Sequence, residues 1–276
     1  MPLSKQLPGI KLLRKIRYRK GFGVHSPFVY NLITKVIEEK TSYYAFEEIE
    51  NFRKKLLTGN DESSIITAKE TQSANYGAFL FRMVNFFKCR NVIQIGGTTG
   101  VMGLYLAMAS RTQTDCYLLE ERPDLSQPVM EFALAHNLNK LHYITGNYQI
   151  NLKVLHSMLP EADLIYINQF PESMKTEDLI HLCTPFIQKK SILILNNIVK
   201  NRAMRNFWQS IKNHPQSRVT MDLYALGIVF FEDKLPKRQY KTYFNDGKKQ
   251  NLHTHGRRRL YFVGRRKKSS KNQRAH

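Results

Sequence analysis

The stretch Asn91-Val-Ile-Gln-Ile-Gly-Gly-Thr-Thr-Gly100, running on into Val101-Met-Gly-Leu-Tyr-Leu-Ala-Met108, decides the fold. An apolar strand enters a glycine turn, and the turn opens a helix. Such a unit sets backbone N–H groups at a helix start, beside the carboxyl end of a strand, where open α/β sheets take their ligands. Gln94 departs from the pattern, because a nucleotide-type site often carries an acid there. The stretch reads as a cofactor-binding unit with an amide in an acid's place.

Outward from this unit, strand and helix patterns alternate. Strands are expected at 91–95, 115–119, 141–145, 163–167 and 190–195, and helices at 100–110, 124–136, 149–158, 174–187 and 201–213. Repeated βα units of this length imply a mostly parallel sheet with right-handed crossovers. The end differs: 218–223 and 227–231 are two apolar runs around a tight turn, and they should pair as an antiparallel hairpin. The expected architecture is α/β, a doubly wound, Rossmann-like seven-stranded sheet with only its last strand antiparallel.

Residues 1–75 read as a helical N-terminal extension or cap, 76–233 as the main domain and 234–276 as a basic tail. Residues 8–20 could form a basic amphipathic helix with Ile10, Leu13 and Ile16 on one face, to cover the domain edge or to lie on a membrane surface or RNA. Ser26-Pro27 starts a helix over 28–39 with Val29, Leu32, Ile33 and Val36 inward. Ser42 begins another, 58–72 reads as a mobile connection, and 76–87 forms a further helix.

The net charge of +21 is unevenly placed. Residues 1–24 hold seven Lys/Arg and no acid, residues 234–276 hold fifteen and one acid, and residues 25–233 balance at 21 each. Basic ends are the footprint of an anionic partner such as RNA, or a solubilising extension. Cys89, Cys116 and Cys183 are odd in number and widely spaced, which supports neither a disulfide framework nor a zinc site. Apolar runs are strand-sized, far below the ~20 residues of a membrane helix. No leader-like apolar stretch follows the basic N-terminus, so a cytoplasmic protein with reduced thiols is expected.

The glycine turn narrows the ligand. Thr98 or Thr99 occupies the second glycine position of a G-x-G-x-x-G fingerprint, and no G-x-x-x-x-G-K-[ST] loop exists. The looser turn of Gly96, Gly97, Thr98 and Gly100 suits a ligand without a pyrophosphate. The second strand ends in Glu120, 24 residues after Gly96. A carboxylate there can accept both ribose hydroxyls of an adenosine, or stand as a solvated strand-end acid. Asn147, after the third strand, is placed to read an adenine edge.

Four further stretches complete a family pattern. Arg82-Met-Val-Asn-Phe-Phe-Lys88, Val92-Ile-Gln-Ile-Gly96, Gly100 and Leu104-Tyr-Leu-Ala107 resemble the first motif of S-adenosylmethionine-dependent O-methyltransferase-like proteins of the class I fold. Val24-His-Ser-Pro-Phe-Val-Tyr30 and Tyr43-Tyr-Ala-Phe-Glu-Glu-Ile49 resemble a bacterial subgroup of them, and Asp222–Phe231 resembles their closing hairpin. The resemblance covers roughly residues 15–233. It implies S-adenosylmethionine as cofactor, held by the glycine turn, Glu120, Asn147 and Asn168. Three departures bear on mechanism. The family has an acid at Gln94, an acid followed by glycine at Asn168-Gln169, and one or two acids at Asn196-Asn197. In metal-dependent relatives the strand-end acids hold a divalent ion. Mg²⁺ demands anionic oxygen ligands, so a metal-independent reaction is expected.

Methyl transfer itself needs positioning and some deprotonation of the acceptor. His25 could serve as base if the N-terminal segment folds over the site; otherwise it is a helix-entry histidine. Asn168 and Asn196 could orient an amine or a base edge, or simply cap their strands. His253 and His255, in an Arg-rich tail without a nearby acid, do not read as a metal pair. Two functions stay open: metal-independent methyl transfer to a small-molecule or nucleic-acid acceptor, and a catalytically inactive binding module that contacts RNA or another polyanion through 234–276.

Overall fold

The computed structural model describes residues 13, 14, 16, 17, 23–59, 62–110, 112–199 and 202–245, with the backbone alone at 62 and 63. The tail from 246 onward, with His253 and His255, lies outside the described residues, as does most of the basic segment 8–20.

Eight strands form one sheet: β1 (Asn91–Ile95), β2 (Asp115–Glu120), β3 (Leu141–Thr145), β4 (Ala162–Ile167), β5 (Ile187–Asn196), β6 (Val219–Asp222), β7 (Leu226–Phe230) and β8 (Arg238–Lys241). Their order is β3-β2-β1-β4-β5-β7-β6-β8. The first five are parallel, β7 runs antiparallel to both β5 and β6, and β8 is parallel to β6. The expected seven-stranded sheet with its last strand antiparallel is present, and an eighth strand extends it. That strand lies within 234–276, the stretch read as a basic tail. Arg238 N donates to Arg218 O, Thr242 N donates to Asp222 O, and Thr242 and Phe244 are buried. The backbone of this basic stretch pairs with an open sheet edge while Arg238 and Lys241 stay exposed, so no charge needs burying.

The helices are α1 (Pro27–Leu32), α2 (Tyr44–Thr58), α3 (Glu62–Glu70), α4 (Ala74–Phe87), α5 (Val101–Met108), α6 (Ser126–Ala135), α7 (Tyr148–Met158), α8 (Thr176–Cys183) and α9 (Arg202–Asn213). Local signals explain several starts. Ser26 Oγ accepts from Val29 N with Pro27 in the first turn, Ser73 caps α4 through Tyr76 N, and Asn147 caps α7 through Ile150 N. Helix α1 runs on into a π-helical turn, Ile33–Ile37, which keeps Val29, Leu32, Ile33 and Val36 buried.

Helix α3 occupies the segment expected to be a mobile connection. Its inward residues are Ser64, Ile66 and Thr67, two of them polar, so no apolar stripe announces it. Thr67 Oγ1 donates to Thr99 Oγ1 at 3.0 Å and ties the helix to the glycine turn.

The sheet is covered on both faces. Val92, Leu118, Leu164 and Ile194 pack with α1, α2, α4, α5 and α6. Ile93, Leu119, Ile165 and Leu193 pack with α7, α8 and α9. This is the burial pattern of parallel strands enclosed by helices. The basic segment meets the β6–β7 turn through charge: Arg14 reaches Asp222 at 2.7 Å and lies over the Tyr224 ring, while Leu13 and Ile16 remain exposed.

Candidate functional site

Register brings the functional positions into one row. Ile95 pairs with Leu119 and with Ile167, and Ile167 pairs with Leu195. One residue further, Gly96, Glu120, Asn168 and Asn196 therefore stand side by side at the carboxyl ends of β1, β2, β4 and β5. A cavity of about 450 Å³ opens at two of them, Glu120 and Asn168, and is lined also by Glu70, Arg122, Tyr148 and Asn197 among others. That volume falls within the range of small-molecule sites.

The turn after β1 is built from backbone conformations that side chains resist. Gly96 has φ +79°, and a Cβ there would lie 2.9 Å from Gln169 N. Gly100 has φ +76°, and a Cβ would lie 2.4 Å from Val129 Cγ2. Gly96 N and Gly97 N both donate to Leu119 O, and Gly100 N donates to Gly97 O. The amides of these three glycines are taken up by β2 and by the turn, as a loop with no pyrophosphate to cradle allows.

Glu120 is 2% exposed and at the centre of a charged network. Thr98 N donates to its Oε2 at 2.7 Å. Arg122 donates to its Oε1 through Nε at 2.8 Å and through its backbone N at 3.3 Å. The Arg122 guanidinium also grips Glu70 on α3, with Nη2 at 3.0 Å and Nη1 at 3.4 Å. Burial alone lowers the Arg122 pKa, but the hydrogen bonds and charges of Glu120 and Glu70 outweigh it and raise the value above its ordinary level. Tyr143 donates to Thr98 O, and Tyr148 lines the cavity. Burial first, and the Glu120 charge second, push both phenols above their usual range, so they stay protonated.

The amides lock onto each other. Asn168 Nδ2 donates to Gly96 O at 3.2 Å. Its Oδ1 accepts from Tyr166 Oη at 2.8 Å and from Asn196 Nδ2 at 3.2 Å. Gln94 is fully buried, and its Nε2 donates to Gly96 O at 3.1 Å. Its Oε1 is a buried acceptor without a partner among the described residues.

Two expected site residues fall elsewhere. His25 is exposed just ahead of α1, and the neighbouring Phe28 ring packs against Phe87 and Phe230. Phe230 pairs with Ile192, four residues before Asn196, so α1 sits toward the amino ends of the parallel strands. His25 does not line this cavity. Asn147 is exposed, and its side chain is committed to capping α7. The adjacent Tyr148 faces the cavity instead. Sequence reading missed Arg122 and Glu70. A cation two residues beyond a strand-end acid was the only available signal, and nothing local pointed to Glu70.

A larger hollow of about 1060 Å³ lies over the start of α4, between Glu39, Phe46, Glu50, Arg82, Tyr105 and Phe244. It contains none of the strand-end residues. The cysteines are buried thiols, Cys89 pushed up to about 12 by burial and then by the Asp163 charge, and Cys183 to about 12 by burial. No group of three or more His, Cys, Asp or Glu poised for a metal occurs among the described residues. No helix among them is long and apolar enough to cross a membrane.

The same fold occurs in solved methyltransferases. The Podospora anserina methyltransferase PaMTH1, determined with S-adenosylhomocysteine bound, matches with a TM-score of 0.55 at 14% identity, over 71% of this chain and 91% of that one. A Bacillus cereus O-methyltransferase in complex with S-adenosylhomocysteine matches at 0.53 and 16% identity, over 74% and 97%. The Streptomyces achromogenes O-methyltransferase TomG, involved in tomaymycin synthesis and bound to S-adenosylmethionine, matches at 0.52 and 12% identity, over 74% and 94%. No family model and no curated protein sequence matches the chain. The fold is therefore that of class I S-adenosylmethionine-dependent O-methyltransferases, as the sequence resemblance implied.

Proposed function

We propose that this protein binds S-adenosylmethionine in the crevice above Gly96–Gly100 and uses it for methyl transfer without a divalent metal. The observation that carries the reading is Glu120: a buried carboxylate at the end of β2, beside the glycine turn, opening on a cavity of small-molecule size. The residues present fit the cofactor. Glu120 offers acceptor oxygens to a ribose. The Tyr148 ring supplies an apolar wall. Bound there, the cofactor supplies a methyl group already activated on a sulfonium.

The rest of the chemistry falls to the chain. Asn168 and Asn196 are neutral and bonded to each other, so they orient rather than deprotonate. This favours an acceptor that is already nucleophilic, such as an amine or a nucleobase edge, over a hydroxyl that a metal must acidify. Calorimetry with S-adenosylmethionine in the presence of a chelator tests the reading. Micromolar binding supports it, and no binding at millimolar ligand overturns it.

A second reading, a methyltransferase-fold module that binds RNA or another polyanion through its basic end, is favoured by charge placement. Residues 246–276 carry eleven Lys/Arg against one acid.

A further inference from the structure

Arg122 and the ribose of a bound cofactor need the same oxygens. A carboxylate has two oxygens and about four lone-pair positions. On Glu120, Oε2 accepts from Thr98 N, and Oε1 accepts from both Arg122 N and Arg122 Nε. One position remains, whereas two ribose hydroxyls need two. The backbone N–H groups of Thr98 and Arg122 are fixed by the loops that carry them. The Arg122 side chain is the contact that can leave.

It has a place to go. Its two terminal nitrogens already lie 3.0 and 3.4 Å from the two oxygens of Glu70 on α3. Glu120 and Glu70 are the two carboxylates with which Arg122 is paired among the described residues. Helix α3 in turn rests on the glycine turn through Thr67 and Thr99.

We propose that Arg122 is an internal competitor for the cofactor's ribose, and that Glu70 receives it when the cofactor binds, clamping α3 over the crevice. The inference rests on the S-adenosylmethionine reading and names the regulation of that site. In the free protein Arg122 neutralises a buried carboxylate that would otherwise stand uncompensated. In the bound protein the two ribose hydroxyls take the position vacated on Oε1 and the open one on Oε2, and the guanidinium faces Glu70 alone in a fork-to-fork pair, the geometry arginine favours. Cofactor affinity is thereby lowered by the cost of displacing Arg122, and α3 closure becomes coupled to occupancy.

Titration calorimetry with S-adenosylhomocysteine tests this in the full chain. Arg122→Gln removes the competitor and should tighten binding roughly tenfold, about the worth of one hydrogen bond to a charged group. Glu70→Gln removes the receiving carboxylate, leaves Arg122 committed to Glu120, and should weaken binding several-fold. The double variant should match Arg122→Gln alone, because Glu70 acts only through Arg122. In the wild-type protein, amide exchange across residues 62–70 should slow when S-adenosylhomocysteine is added, a readout independent of how the variants fold. If wild-type protein binds the ligand but Arg122→Gln binds equally or more weakly, or exchange at 62–70 does not change, the competitor role is overturned and the cofactor reading stands. If wild-type protein does not bind it at all, both fall.

Discussion

Asn196 donates its side-chain amide to Asn168 twice, to the backbone oxygen at 3.1 Å and to the side-chain oxygen at 3.2 Å. Tyr166 fills the remaining position on that side-chain oxygen. The two strand-end amides thus close on each other beneath the crevice. A neutral oxygen already accepting two hydrogen bonds offers little to a hard cation. Methyl transfer by this protein should accordingly be unchanged by a chelator and by added Mg²⁺. Loss of turnover with chelator, restored by Mg²⁺, would show that the amides rearrange to hold a metal.

Glu120→Ala should weaken S-adenosylhomocysteine binding by roughly 1–3 kcal/mol, the usual cost of losing hydrogen bonds to a charged group. Thr98 N and Arg122 would also lose their shared acceptor, so a melting curve should accompany the calorimetry. An unchanged dissociation constant in a folded variant would refute the ribose assignment.

Gly100→Ala should destabilise the fold by about 1–3 kcal/mol for the left-handed backbone, and by more where Val129 cannot yield. Gly97→Ala should be milder, because its added Cβ meets nothing closer than 3.4 Å. Urea midpoints of the two variants should therefore separate clearly.

Two truncations separate β8 from the residues after it. A chain ending at 245 keeps β8 and the buried Thr242 and Phe244. A chain ending at 233 should melt lower, having lost β8 and the buried Thr242 and Phe244. If the residues beyond 245 hold RNA by engaging about six phosphates of a single strand, log affinity against log salt should slope near about −4, and the chain ending at 245 should lose that binding. Equal affinity and slope after truncation would assign the contact elsewhere.

Acid should weaken the fold through His214. Burial, and then the charge of Lys237, lower its pKa below the ordinary 6.5. The unfolded chain then binds the proton more readily than the folded one. The stability His214 contributes is whole above pH 6.5 and is lost as pH falls through its lower folded value. His214→Gln should flatten the pH dependence of melting across that interval, and an unaltered profile would show that the shift carries no stability.

Much of the architecture was legible in the chain. Runs such as Ile192–Leu195 are apolar because both faces of a parallel sheet are covered, and that requirement is local to each strand. The glycine turn and Glu120 were legible for the same reason: backbone conformation at Gly96 and Gly100, and a charge at a strand end, are properties of a few neighbouring residues. The charge imbalance of the two ends was equally plain. Tertiary structure alone decided the rest. Helix α3 lacks an apolar stripe, and its tertiary contacts, Thr67 with the glycine turn and Glu70 with Arg122, are what account for its place. Strand β8 is mostly polar and charged, and what holds it is backbone pairing to an edge that the sequence does not display. His25 was placed by packing at the wrong end of the sheet. Arg122 lies 52 residues from Glu70, and the pairing exists only because the fold carries α3 to the carboxyl end of β2. Periodicity reports which side of an element is buried; which distant charge stands opposite is set by how the elements meet.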